Sequence, residues 1–336
     1  MPAVTDTSPT PGSTTERPVL FLSARLLELV RHGLPGPEQV DIVEFRPGDW
    51  VDADDIARIT VACLSNDLYP GGADAYMRVV LDAPRLDWFH TSSAGIDHPV
   101  FSMITAGGAR LSTGSGSSAT PIAHHVVMLL LALSRDLPGL LADQRAERWR
   151  TDWHFVDLEE RTVGIVGMGP IGCETARLCT ALGMHPIGLR RTVQGDEPCP
   201  TWTFDRLDEL LGTVDDLVLA APLTDTTRRM IGARELAMLR PGARLVNVGR
   251  GELVDEGALV DALRSGHLAG VGLDVTVTEP LPADHPLWHL PNVIVTPHVS
   301  GETDLTERRA ATLFIDNVWR YVRGEPLRNE VVAPGL

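Results

Sequence analysis

The chain has 336 residues and no lysine; all 29 of its basic residues are arginine. That removes the chemistry lysine supplies, including Schiff-base formation and the amine of a phosphate-binding P-loop. Biased codon usage in a GC-rich genome accounts for the absence without a functional cause. Cysteine is also scarce. Cys63, Cys173, Cys179 and Cys199 show no CxxC spacing, so neither a zinc site nor a disulfide scaffold is expected, and no metal. Cys173 and Cys179 fall on an expected buried helix, as small apolar filling. A positive field is missing too. The net charge of -16 argues against nucleic acid and anionic membrane as partners. Any bound anion must be held by local basic groups and backbone N–H groups. The longest apolar run, 126–133, is too short to span a bilayer and reads as a buried helix between domains. Residues 1–17 are rich in Thr, Ser and Pro without an apolar h-region, which reads as a disordered tail rather than a signal peptide. A cytoplasmic location follows as the expectation. There is no internal repeat.

The length suits two domains of ordinary size. In the first part, unalternating apolar runs at 18–23, 40–45, 59–64, 88–91 and 109–112 read as strands of a parallel sheet covered on both faces. Stretches 24–32 and 73–81 are its crossover helices. Thr120-Pro121 supplies an N-cap and a first-turn proline for a helix to about 133. A second series follows, with strands expected at 162–166, 186–189, 216–220, 243–248, 271–275 and 293–296. Helices are expected at 171–182, 206–211, 233–238 and 255–265. Six strands with intervening helices describe a doubly wound dinucleotide domain. A long helical pattern from 304 to 322 closes the chain and could return to the first domain.

Between the first strand and helix of that series lies Gly167-Met168-Gly169-Pro170-Ile171-Gly172. Gly167 permits a tight turn, Gly169 lets a pyrophosphate approach the backbone, and Gly172 lets helix and strand pack closely. The helix N-terminus then faces the anion. A glycine motif alone is weak evidence; this one sits in strand–turn–helix context. The acidic residue that marks NAD specificity about 20 residues on is missing. Arg190, Arg191 and Thr192 stand there instead. They would attract a 2′-phosphate, whereas a carboxylate would repel it. The reading is NADP(H) in preference to NAD(H), with NAD still possible; a solvated basic turn is the plainer alternative.

Three further signatures carry the chemistry: Val246-Asn247-Val248-Gly249-Arg250-Gly251, Gly272-Leu273-Asp274-Val275 through Glu279-Pro280, and Thr296-Pro297-His298. Arg250 follows a strand-like run and a Gly, which places it at a carboxyl end of the sheet, where ligands bind. Its fork can take a substrate carboxylate and carbonyl oxygen together. A carboxylate at Glu279 beside His298 favours the imidazolium, which can protonate a developing alkoxide. With a bound dinucleotide, this set can reduce a 2-keto acid.

With these motifs the chain resembles the D-isomer specific 2-hydroxyacid dehydrogenase family, closest in character to glyoxylate/hydroxypyruvate reductases, over nearly all of 18–330. The resemblance implies an α/β protein of two Rossmann-like doubly wound domains and a homodimer. The substrate domain (18–121 and 303–336) is split around the dinucleotide-binding domain (122–302). It implies NAD(P)H-dependent, reversible reduction of a small 2-keto acid to a D-2-hydroxy acid, acting on CH–OH groups, with Arg250, Glu279 and His298 catalytic. Thr91-Ser92-Ser93-Ala94-Gly95-Ile96-Asp97 resembles the family loop whose backbone N–H groups hold the substrate carboxylate, so Ser93, Ala94, Gly95 and Ile96 join Arg250 and His298 as substrate contacts. The active site is then expected between the domains. Asp274 resembles the residue that meets the nicotinamide carboxamide, and Ala221-Pro222-Leu223-Thr224 the loop beside the nicotinamide ribose. Thr227, Val248, Gly249, His298 and Gly301 complete the implied cofactor contacts. Glu279 stands where the formate dehydrogenase branch typically has Gln. Pro170 replaces a commonly basic residue, and His124, beside His125, a common Glu; these two histidines read as core or interface residues. Trp288 is either a wall of the substrate pocket or a structural aromatic. Some proteins resembling this family are interaction platforms, so a non-catalytic NAD(P)-binding sensor or corepressor-like protein is the alternative.

Overall fold

The structure, a computed structural model, describes residues 16–69 and 71–331. The expected tail lies outside the described residues except for its last two, of which Arg17 donates to the Pro37 carbonyl at 2.6 Å. The chain forms two compact units, one from the described residues up to Ser117 and from Asp304 onward, the other Ser118–Thr303.

In the first unit, β1 (Val19–Ser23), β2 (Asp41–Phe45), β3 (Val61–Leu64), β4 (Trp88–Thr91) and β5 (Arg110–Thr113) form a parallel sheet of order β2-β1-β3-β4-β5. Every residue of β1, β3 and β4 is buried, as a sheet covered on both faces requires. Helices α1 (Ala24–Val30), α2 (Ala53–Arg58), α3 (Ala73–Asp82) and α4 (Pro99–Ala106) connect the strands. Ser23 ends β1 and starts α1, its hydroxyl accepting from the Leu26 N–H at 3.1 Å, which satisfies one orphan donor of the first turn.

The second unit opens with α5 (Ala119–Ser134) and α6 (Leu137–Arg145). The series β6 (Thr162–Val166), α7 (Pro170–Ala181), β7 (His185–Leu189), β8 (Thr201–Trp202), α8 (Leu207–Thr213), β9 (Asp216–Leu219), α9 (Ala233–Met238), β10 (Ala243–Asn247), α10 (Glu256–Arg264), β11 (Leu268–Leu273) and β12 (Val293–Val295) follows. The sheet is parallel, of order β12-β11-β10-β9-β6-β7-β8. It has seven strands rather than the six expected. The added strand, β8, pairs Thr201 and Trp202 with Gly188 and Leu189, and its two residues are too few to leave a period in the sequence. Strand order reverses between β6 and β9, the crevice where open parallel sheets bind ligands.

Helix α5 buries Val126, Leu129 and Leu130 on this unit's own sheet. Gly270 and Gly272 of β11 make room for it: a Cβ on Gly272 would lie 3.1 Å from Leu129, and one on Gly270 3.0 Å from Leu133. Met128 and Leu131 on the opposite face are 47% and 41% exposed, so the apolar run is a half-buried helix. Among the described residues no single helix is long and apolar enough to cross a membrane. At the amino-terminal edge of the sheet, buried Asp216 takes a hydrogen bond from Arg161 Nε at 3.1 Å and lies 3.3 Å from Arg244. The last helix, α11 (Thr306–Val322), belongs to the first unit. There Phe314 packs 5.7 Å from Trp88 and Trp319 donates to the Gly33 carbonyl at 2.8 Å.

Candidate active site

The glycine turn lies at the switch point. Gly167 has φ +104, and a Cβ on it would fall 2.5 Å from the Ala221 amide beyond β9. Only glycine meets both conditions. Gly172 presses its Cα against the Gly167 carbonyl, 2.1 Å from where a Cβ would stand. Gly169 caps α7 and differs: nothing lies within 4 Å of its Cβ position, and no side chain caps the helix. That open position, over the uncapped N–H groups of a 12-residue helix, suits a pyrophosphate. Pro170 occupies the first helical position, where its missing N–H costs nothing, and half-buried Ile171 follows it. Beyond β9, Ala221 is buried. Thr227 ties the next loop, its hydroxyl donating to the Pro222 carbonyl at 2.7 Å and accepting from the Thr224 amide at 2.8 Å. Leu223 is half-buried there, while Val248 at the end of β10 is buried.

At the end of β7, Arg191 and Thr192 are exposed. Arg190 is not an open cation. Its Nη1 donates to Glu197 at 2.8 Å. The same carboxylate accepts the amides of Gln194 and Gly195, each at 2.8 Å. The sequence offered no signal for this contact.

Arg250 follows β10 in a turn that Asn247 builds. The Asn247 amide donates to the Arg250 carbonyl at 2.9 Å, and its carbonyl oxygen accepts the Gly249 N–H at 3.0 Å. Arg250 is half-buried, and its guanidinium donates to the Gly249 carbonyl at 2.8 Å. The following residue, Gly251, is flush against the backbone of Thr276.

Glu279 and His298, matched from separate motifs, lie together: His298 Nδ1 is 2.8 Å from Glu279 Oε2. Glu279 Oε1 accepts the Thr276 N–H at 3.1 Å, which fixes the carboxylate. Both side chains stay accessible, 51% exposed for His298 and 39% for Glu279. His298 has φ +55, a conformation that needs support from its surroundings. Asp274 supplies it. Its carbonyl accepts the His298 N–H at 2.8 Å, and its two carboxylate oxygens accept the N–H groups of Val299 and Ser300, each at 3.0 Å. Burial would raise the pKa of Asp274; hydrogen bonds from Ser300 and Thr296 outweigh burial and hold it below the ordinary value. The implied contact of Asp274 with a nicotinamide carboxamide sits beside this different use. The side chain is 1% exposed and both its oxygens are engaged by the turn, so here it positions His298.

Thr296 donates its hydroxyl proton to Asp274 at 2.6 Å. It must therefore accept from His125 Nε2, 3.0 Å away. Burial lowers the pKa of His125 against the opposing pull of Asp274, so His125 serves this network as a neutral donor. His124 is exposed, not a core residue of its unit. Trp288 is 48% exposed and donates to the Pro282 carbonyl at 2.9 Å, a structural bond. The loop at Ser93, Ala94, Gly95 and Ile96 lies in the other unit, at the carboxyl end of β4; Ser93 and Ala94 are exposed. Gly301 follows the Ser300 turn and is half-buried.

A doubly wound parallel sheet with a glycine turn at its switch point, and an imidazole–carboxylate pair at the same edge, defines a dinucleotide-dependent oxidoreductase unit. Residues 127–300 match the family described as D-isomer specific 2-hydroxyacid dehydrogenase, NAD binding domain. The chain is 35% identical over 254 residues to glyoxylate/hydroxypyruvate reductase B of Pectobacterium carotovorum subsp. carotovorum, covering 74% of this chain and 79% of that one. It is 34% identical over 310 residues to D-3-phosphoglycerate dehydrogenase of Mycobacterium leprae, covering 88% of this chain and 58% of that one. A crystal structure of a D-isomer specific 2-hydroxyacid dehydrogenase from Xanthobacter autotrophicus Py2, in complex with NADPH and MES, matches with a TM-score of 0.78. The two are 30% identical, and the match covers 94% of this chain and 98% of that one. The chain belongs to the D-isomer specific 2-hydroxyacid dehydrogenase family, oxidoreductases that act on CH–OH groups with NAD(P).

Proposed function

We propose that the protein reduces a small 2-keto acid, of the glyoxylate and hydroxypyruvate kind, to the D-2-hydroxy acid, with NADPH in preference to NADH. The observation that carries the reading is the 2.8 Å contact between His298 Nδ1 and Glu279. With Nδ1–H donated to the carboxylate, Nε2 is the atom left to exchange a proton with substrate. When bound, the nicotinamide supplies a hydride to the keto carbon. Arg250 holds the substrate carboxylate and draws charge onto the carbonyl oxygen. His298 delivers the proton to that oxygen, which completes the hydroxyl, and Glu279 keeps the ring oriented. In oxidation His298 takes the same proton back. The loop Ser93–Ile96 offers backbone N–H groups to the carboxylate.

The open position at Gly169, over the uncapped start of α7, supports pyrophosphate binding. Arg191 and Thr192 are the exposed groups offered to a 2′-phosphate, and NADPH in the Xanthobacter structure is in keeping with that choice. The Pectobacterium relative's name supports the substrate class. The test is NADPH consumption with glyoxylate, hydroxypyruvate and phenylpyruvate. Turnover of one or more is expected; tight NADPH binding without turnover of any would instead favour a nucleotide sensor.

The implied homodimer has a candidate surface. Trp149 and Trp153, 91% and 54% exposed, line a cleft of about 590 Å³ beside α6. Exposed aromatic surface of this kind supports an interface there. Sedimentation of Trp149→Asp should show monomers where the unaltered protein shows dimers.

A further inference from the structure

The eight residues from Arg190 to Glu197 contain two arginines and two carboxylates. One of these carboxylates, Glu197, is folded back onto the loop. Its side chain is 3% exposed, against 22% for Arg190. Three donors fix it: the amides of Gln194 and Gly195 and the Arg190 guanidinium, each at 2.8 Å. The Gln194 amide foremost, with the Gly195 amide and Arg190, holds the carboxyl down to a pKa of about 2 despite its burial. It is charged across any working pH.

We propose that Glu197 is a specificity-determining residue that limits the preference for NADPH over NADH by holding a fixed negative charge against Arg190. The inference rests on the proposed use of NADPH, with the adenosine ribose at the end of β7. An anion approaching Arg190 meets a neutral pair rather than a lone cation. The Glu197 side chain is largely covered, so salt screens it less than an exposed charge. The chain thus ties the arginine at the end of β7 to a carboxylate seven residues on. Arg191 and Thr192 remain as the exposed contacts for a 2′-phosphate. The sequence alone, with two arginines at the end of the strand, overstates the attraction.

The test uses 2′,5′-ADP and 5′-AMP, which differ by the phosphate in question, titrated calorimetrically into the full chain and into Glu197→Gln. The variant should bind 2′,5′-ADP about ten-fold more tightly than the unaltered protein, the scale of one charge-assisted contact. Binding of 5′-AMP should change less than about two-fold. If 2′,5′-ADP binding is unchanged or weaker while 5′-AMP binding is retained, Glu197 orients Arg190 rather than opposing it, and the proposal is overturned. Should the variant not fold, the unaltered protein decides: a 2′,5′-ADP to 5′-AMP affinity ratio above about thirty-fold overturns the proposal, and a lower one upholds it. NADPH preference fails separately, if the unaltered protein turns over NADH more efficiently than NADPH; the effect of Glu197→Gln on 2′-phosphate affinity is then still read from binding.

Discussion

Gly251 stands so close to Thr276 that a Cβ on it would fall 2.0 Å from the Thr276 carbonyl carbon. The N–H of Thr276 holds Glu279, and Glu279 holds His298. One backbone contact therefore couples the turn bearing Arg250 to the imidazole–carboxylate pair. Gly251→Ala must push the two turns apart. We expect kcat/KM for keto-acid reduction to fall about a hundred-fold, the cost of a misplacement of about 1 Å, while NADPH affinity changes little. Steady-state kinetics beside a cofactor titration separates the two; activity within two-fold of the original would show that the coupling is not needed.

Arg250→Lys keeps the charge and loses the two-pronged geometry. Efficiency with a proven keto acid should drop by about a hundred- to a thousand-fold, with the NADPH dissociation constant unchanged. An unaltered efficiency removes Arg250 from substrate binding.

Glu279→Gln preserves shape and removes the charge facing His298. Reduction should slow by about a hundred-fold, the usual worth of acid–base catalysis. Because the two residues act as a unit, adding His298→Asn to Glu279→Gln should cost little beyond His298→Asn alone. Additive losses in the double variant would mean that the residues work independently.

Arg190→Asp would place a second carboxylate against buried Glu197, so its effects mix misfolding with cofactor choice. Arg191→Ala leaves that pair intact. It should weaken NADPH by about ten-fold and leave NADH within two-fold. Equal loss of both cofactors would place Arg191 away from the 2′-phosphate.

His90 offers a stability test away from the site. It is fully buried, and Ser112 lies 2.8 Å from its Nδ1. The Ser112 hydroxyl also accepts from the Trp88 ring N–H at 2.8 Å. Burial lowers the pKa from 6.5 to about 3. Between these values the unfolded chain binds the proton and the folded chain does not. Stability contributed by the neutral ring is therefore present above pH 6.5 and is lost as pH falls towards 3. The loss is up to about 1.4 kcal/mol per pH unit. Urea midpoints against pH should fall less steeply for His90→Phe; parallel slopes would contradict the assignment.

Much of the architecture is legible in the sequence because buried parallel strands are continuous apolar runs; the expected 162–166 coincides with Thr162–Val166. What escapes has no such pattern. Helix α2 buries none of its residues and is set by the Asp52 cap, and α6 buries only Asp143. Neither presents an apolar stripe to read. Glu279 and His298 are found by residue type within short motifs, and their contact follows from strand ends meeting at one edge. The Arg190–Glu197 pair depends on how a loop folds back, which no local period records. The same is true of Thr276, whose part is played by a backbone N–H.

The sheet of the second unit separates two kinds of work by position. Arg161, Asp216 and Arg244 knit its amino-terminal edge, while Gly167, Arg250, Asp274 and His298 stand at or beyond the opposite ends of its strands. Strands β6, β9, β10 and β11 are spacers of four to six residues between the two edges. Lesions at the ion network should then reduce how many molecules are folded, and lesions at the other edge how fast each folded molecule works. Loops at the reacting edge can change length and composition to suit new acids without touching the contacts that keep the sheet together, so inheritance can tune the two properties separately.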